Sequence, residues 1–182
     1  YSVIKNNYIH HNSFAGYYGD PADYSTLENN EIAYNGHDQK IGESANVTFR
    51  NNFVHHNVGM GIWFDWDNTG GLVEGNLVED NGASGIQFEV SSDGTVRNNI
   101  VRRSGQNGLY ISTSKNMQIY GNTFENNFRG IQFFINCAAI GQGKIGFDLA
   151  NVSSHDNTIT VGTQSGAWAN FLSYSGDCTS TQ

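Results

Sequence analysis

Two carboxylates occupy the same place in two closely similar stretches, Gly61-Ile62-Trp63-Phe64-Asp65 and Gly85-Ile86-Gln87-Phe88-Glu89. If the stretches lie on neighbouring strands, the carboxyl groups stack one strand spacing apart, about 4.8 Å. Like charges that close raise one pKa, attract a cation or share a proton. A retaining glycosidase wants that geometry, with carboxyl groups about 5–5.5 Å apart, one a nucleophile and one an acid/base. Trp63, Trp66 and Tyr110 offer flat rings for sugars to stack on, Gln87 an amide, and Asp67 a further carboxylate two residues beyond Asp65. A second chemistry open to these residues is a calcium ion held among Glu43, Asp65, Asp67 and Glu89, because calcium takes six to eight oxygen ligands. Lys40 lies nearest this acidic column and, with Arg102 and Arg103, could serve as the base of a calcium-assisted polysaccharide lyase.

The elements that must bring these residues together are repeats. The last residues of the Asn-Asn and Gly-Asn pairs are Asn7, Asn30, Asn52, Asn76, Asn99 and Asn122, at intervals of 22 to 24 residues. Three residues before each stand Ile4, Leu27, Phe49, Val73, Val96 and Ile119, and two after stand Ile9, Ile32, Val54, Val78, Val101 and Phe124. A second Asn follows after five residues (Asn12, Asn35, Asn57, Asn81, Asn127), with Ser104 the exception. The Gly-initiated blocks at Gly61, Gly85, Gly108 and Gly130 alternate with period two, the spacing of a strand. Short strands broken by Asn and Gly describe a coil that turns several corners per repeat, where these residues tolerate left-handed backbone. Successive Asn side chains would then share amide hydrogen bonds along the stack. An imperfect seventh coil is expected around Asn157, with Val152 and Ile159.

Ile62 and Phe64, Ile86 and Phe88, Leu109 and Ile111, and Ile131 and Phe133 therefore face the core. The residues between them form two outward columns, Trp63-Gln87-Tyr110-Gln132 and Asp65-Glu89-Ser112-Phe134. Counting back places Glu43 and Asp20 in register with Asp65. The pairs His10-His11 and His55-His56 recur two coils apart, too far to share a metal, and read as solvated turn residues. His55, Glu79, Arg102 and Glu125 read as a surface salt ladder.

Composition narrows the classes further. With 182 residues, 37% hydrophobic and 13% aromatic, the chain has too much apolar surface to stay unfolded, despite 22 Gly and only 14% charged residues. A net charge of -8 leaves no basic patch for nucleic acid. No apolar run reaches the roughly 18 residues a membrane span needs. Cys137 and Cys178 are compatible with one disulfide pinning the tail, as in an exported protein, or with two free thiols. Residues 1–162 are expected to form the repeats and 163–182, with Trp168, Phe171, Leu172 and Tyr174, to cap the last coil. The first repeat is under way at Tyr1, so its exposed edge is expected to be covered by a missing segment, another chain or a crystal contact.

The repeat resembles the right-handed parallel β-helix proteins of the pectate-lyase-like superfamily. That resemblance implies an all-β single-stranded solenoid of about seven coils. It also implies a secreted, cell-surface or periplasmic location and a polysaccharide or oligosaccharide partner. Asp65 and Glu89, within Trp63-Phe64-Asp65-Trp66-Asp67-Asn68 and Gln87-Phe88-Glu89-Val90-Ser91, are locally similar to the arrangement in β-helix glycoside hydrolases such as the β-helix β-xylosidases. By that likeness Asp65 is the nucleophile and Glu89 the acid/base, with no cofactor. The alternatives are the calcium-assisted lyase and a non-catalytic glycan-binding or structural module of a larger exported protein.

Overall fold

In a computed structural model, residues 1–136 and 148–160 are described in full and residues 170–175 by their backbone. Among these residues the chain winds as a parallel β-helix of three sheets, each with seven strands, so that about six complete turns separate the first strand from the last. No helix occurs among the described residues. The first sheet runs from Val3–Lys5 through Thr26–Glu28 to Ser153–His155, and the second from Tyr8–His10 through Glu31–Ala33 to Thr158–Thr160. All of these strands are three residues long, because the Asn or Gly corners interrupt them. The third sheet carries the long strands, Ile62–Thr69, Ile86–Ser92, Asn107–Ser112 and Arg129–Asn136, and before them the short Lys40–Gly42.

Every strand pairs in parallel with its counterpart one repeat away, Val73 with Phe49 and Val96 for example. One side chain of each short strand points inward, and Leu27, Phe49, Val73, Val96 and Ile119 are at most 2% exposed. Ile62 with Phe64, Ile86 with Phe88 and Leu109 with Ile111 fill the third wall, with Phe64 and Phe88 stacked at 4.5 Å. Each such burial is worth about 1.5–3 kcal/mol, which is why the inward pattern fixes the register.

Within each Asn-Asn pair the first residue takes left-handed backbone, as at Asn6, Asn29, Asn51 and Asn98, with φ of 54–59°. Where the pair reads Gly-Asn, Gly75 and Gly121 occupy the same corner at φ of 65° and 66°. Asn and Gly interchange there because both tolerate that conformation. The second Asn points inward, and its amide donates to the next: Asn7 to Asn30, to Asn52, to Asn76, to Asn99, to Asn122 and to Asn157, at 2.9–3.1 Å. A second ladder runs Asn12–Asn35–Asn57–Asn81 at 2.8–3.0 Å and stops where Ser104 replaces Asn.

The seventh coil is thinner than the others. Ser154 stands opposite Ile119, so the inward position is polar, while Val152 and Ile159 pack against the core from either side. In the segment expected to cap the solenoid, Asn170–Ser175 adds a seventh parallel strand to the third sheet beside Arg129–Asn136. Cys137, Cys178 and Trp168 lie outside the described residues. At the opposite end, Ile4, Tyr17, Leu27 and Ile41 line a depression, and Val3 is 58% exposed.

Candidate active site

The outer face of the third sheet carries the two columns. Trp63, Gln87, Tyr110 and Gln132 are consecutive cross-strand partners, and Asp65, Glu89, Ser112 and Phe134 form the second set. Ile86 is fully buried while Glu89 stays partly open to solvent, as the alternation requires. Asp65 and Glu89 are therefore direct neighbours on adjacent strands.

Earlier coils extend both columns differently from the sequence expectation. Lys40 is the partner of Trp63 and Gly42 the partner of Asp65, so Glu43 falls one residue past the column. It sits exposed on the corner, in left-handed backbone, its N–H donating to the Trp66 carbonyl at 2.8 Å. The expectation went wrong because this coil lacks the initiating Gly; aligning Ile41 with Phe64 recovers the register. Asp20 does belong to the column, with its carboxylate 3.4 Å from where a Cβ on Gly42 would stand.

Trp66 and Asp67 also leave the flat face. Asp65 pairs with Glu89 but Asn68 pairs with Ser91, so two residues oppose Val90 alone. This bulge places Trp66 and Asp67 both at positive φ, with Trp66 packed on Val90. The strand alternation that would have put Asp67 above Asp65 ends there. Glu43, Asp65, Asp67 and Glu89 thus do not line one column, and no group of three His, Cys, Asp or Glu among the described residues is gathered as a metal site.

Lys40, expected nearest the acidic column, stands in the neighbouring column as the partner of Trp63. Its ammonium reaches Asp65 Oδ2 at 2.6 Å and lies 4.9 Å from the centre of the Trp63 ring. One face of Trp63 is accordingly taken by a cation rather than open to a sugar. Burial works to lower the Lys40 pKa, but the hydrogen bond and charge of Asp65, helped by Tyr18 and Asp20, outweigh it and hold the ammonium above its ordinary value. A lysine so held is a poor base.

Glu89 lies on the opposite side of the balance. Burial first, and the charge of Asp65 second, push its carboxyl up, while a hydrogen bond from Gln87 Nε2 at 2.9 Å and the charge of Lys40 pull it back. Gln87 is only 4% exposed between Trp63 and Tyr110, which leaves its amide little to do except hold Glu89. Burial, reinforced by the charge of Glu89, pushes the Tyr110 phenol up to about 12. Ser112, 1% exposed beside Glu89, is near enough to Tyr110 to oppose that rise, but its Oγ lacks aligned hydrogen-bond geometry with any protein group; Trp63 Nε1 is also buried without a partner.

The remaining charged clusters are structural. Arg102 meets Glu79 at 2.5 Å and Arg103 meets Glu79 and Asp80 at 3.0 and 2.7 Å, so neither arginine is placed to act as a base. His55 is not a solvated turn residue: it is 6% exposed, with Nε2 3.1 Å from Glu31 and Nδ1 2.9 Å from His56 Nδ1. Tyr34 stacks between His11 and His56 and links the two histidine pairs.

A family model of the right-handed β-helix region matches residues 1–140. The chain belongs to that family. Among solved structures, this right-handed β-helix is similar to the A-module of the mannuronan C-5 epimerase AlgE6 of Azotobacter vinelandii, at 18% identity, TM-score 0.66, over 96% of this chain and 58% of that one. It is also similar to the periplasmic alginate epimerase AlgG, at 21% identity and TM-score 0.65, over 95% of this chain and 44% of that one. The enzymatically active domain of bacteriophage CBA120 tailspike protein 2 follows at 15% identity and TM-score 0.53, over 86% and 26%. The β-helix thus spans roughly half of the epimerase chains it resembles, and at these identities the likeness is one of fold. No match was found among curated proteins.

Proposed function

We propose that this β-helix is a carbohydrate-active protein that hydrolyses glycosidic bonds with Asp65 and Glu89. The observation that carries the reading is their direct pairing on adjacent strands in contrasting surroundings. Asp65 is clasped by the Lys40 ammonium at 2.6 Å, whereas Glu89 is drawn toward its protonated form by burial and the charge of Asp65. A carboxyl raised in this way beside an ion-paired carboxylate fits the division into acid and nucleophile. Glu89 protonates the leaving oxygen, Asp65 attacks the sugar through Oδ1, the oxygen opposite Lys40, and Glu89 then activates the water that releases the glycosyl group. The strand spacing of about 4.8 Å suits retention of configuration rather than inversion. The fold shared with proteins named as mannuronan and alginate epimerases supports a polysaccharide as the substrate, and the periplasmic AlgG supports action outside the cytoplasm.

The calcium-assisted lyase is the weaker enzymatic reading, because Lys40 is held protonated and the expected calcium ligands are dispersed. A non-catalytic glycan-binding module is favoured by one observation, the Lys40 ammonium resting on an oxygen of the nucleophile. Reducing-end release from a panel of polysaccharides separates these readings. The hydrolase predicts turnover that Asp65→Asn and Glu89→Gln each lower by about 10²-fold or more. Unchanged turnover in Asp65→Asn ends the assignment, and products absorbing in the near ultraviolet point to the lyase.

A further inference from the structure

Charge on the outer face of the third sheet is unevenly balanced where a substrate would lie. Asp20, Asp65 and Glu89 share one column, with Gly42 contributing no side chain between the first two. Lys40 answers them, and its ammonium is already committed to Asp65 at 2.6 Å. A carboxylate on an incoming sugar would meet like charges here, and the Arg129 guanidinium, whose charge reaches Tyr110, stands two strands beyond Glu89 against the Phe128 ring rather than in this column. The unsatisfied atoms of the face have a different character. Ser112 Oγ, in a residue 1% exposed beside Glu89, has no hydrogen-bond partner, and neither does the buried Trp63 Nε1. Both atoms are covered by protein, and an indole N–H only donates while a hydroxyl does either, so neither supplies the paired cationic donors that suit a carboxylate. Carboxylate recognition calls instead for the paired donors of a guanidinium. Resting on the hydrolase site above, we infer that the groove takes chains of uncharged sugars and excludes polyuronates. Its substrate class then differs from the mannuronan and alginate for which proteins of similar fold are named.

The test measures binding and turnover side by side on the purified protein. Affinity electrophoresis is run in gels containing soluble xylan, β-glucan or galactomannan, and in gels containing polygalacturonate or mannuronan, each with chelator and with calcium. At least one neutral polysaccharide is expected to retard the protein at a concentration tenfold or more below that of either polyuronate, under both conditions. The variant Asp65→Asn/Glu89→Gln, checked for folding by its melting curve, is expected to keep the neutral binding and to narrow the gap. Equal or tighter retardation by a polyuronate, with or without calcium, overturns the inference. If Asp65→Asn then abolishes turnover of that polyuronate, the site stands and only its substrate class is lost. Neutral binding with no release of reducing ends removes the hydrolase reading but leaves the charge selectivity intact. Retardation by none of the five polymers overturns both.

Discussion

Lys40, Asp65, Gln87 and Glu89 form one electrostatic unit, because each change to a neighbour alters the proton affinity of Glu89. The acid must be protonated when it acts, so activity falls as pH rises through the elevated pKa of Glu89. Gln87 donates to the Glu89 carboxylate and so favours its charged form. We predict that Gln87→Leu moves the alkaline limb of the pH–rate profile upward, and that Lys40→Met moves it the same way by removing an opposing charge. A limb unmoved in both variants, in kcat/KM measured across the pH range, would detach Glu89 from the acid role. Glu89→Gln is expected to lower kcat on the order of 10²- to 10⁴-fold, the usual contribution of a general acid. Removing the raised carboxyl should not lower stability near neutral pH. A raised group stabilises the fold below its unfolded pKa and loses that contribution as pH climbs through the folded value.

At the scale of the strands and corners, the asparagine ladders do what a helix does with its backbone bonds: they satisfy buried polar groups in a repeating way. Each inward Asn also receives a backbone N–H from the preceding coil, as Asn52 Oδ1 does from Asn30 at 3.0 Å. Ser104 interrupts the second ladder, and its hydroxyl is buried without a partner between Asn81 and Asn127. Ser104→Asn is therefore predicted to bridge the gap and raise stability by about 1 kcal/mol, read as a shift in denaturant midpoint at constant slope. A lowered midpoint would mean that the corner cannot accept the larger side chain. On the first sheet, burial works to raise the Glu74 carboxyl, but the hydrogen bonds and charges of Arg50 and Arg97 outweigh it and hold it below its ordinary value of 4.5. Such a group stabilises the fold above that value and stops doing so as pH falls through its depressed pKa. Arg50→Met/Arg97→Met should accordingly lower the melting temperature at neutral pH and lessen its further drop between about pH 5 and about pH 3.

As a whole, the molecule is a stack in which each coil pairs its strands with those of its immediate neighbours, and Tyr17 reaches past one coil, to the Gly61 carbonyl at 3.3 Å. Excision of one complete repeat should then preserve register. Deletion of residues 53–76 joins Asn52 to Leu77, keeps both the apolar and the asparagine columns aligned, and removes Trp63 and Asp65 together. The shortened protein is expected to keep a β-rich circular dichroism spectrum and one cooperative melting transition while losing all turnover. Deletion of half a coil misaligns every following strand and should abolish the transition. If both deletions behave alike, stacking in register is not what holds the solenoid together.

Much of this was legible in the residues themselves. Intervals of 22 to 24 residues, inward apolar positions and paired Asn determine the coils, the corners and the neighbourhood of Asp65 and Glu89. A side chain of period two has only two faces to choose from, and burial decides between them. What lay beyond the sequence was local. The Lys40–Gly42 coil has no initiating Gly, so only the assembled sheet shows that Lys40, not Glu43, leans against Asp65. The bulge at Trp66 and Asp67 depends on backbone torsions that nothing in those two residues announces. Repetition makes the frame readable because each coil restates the same burial requirement. Departures from the repeat obey the space left by their neighbours, and that space exists only in three dimensions.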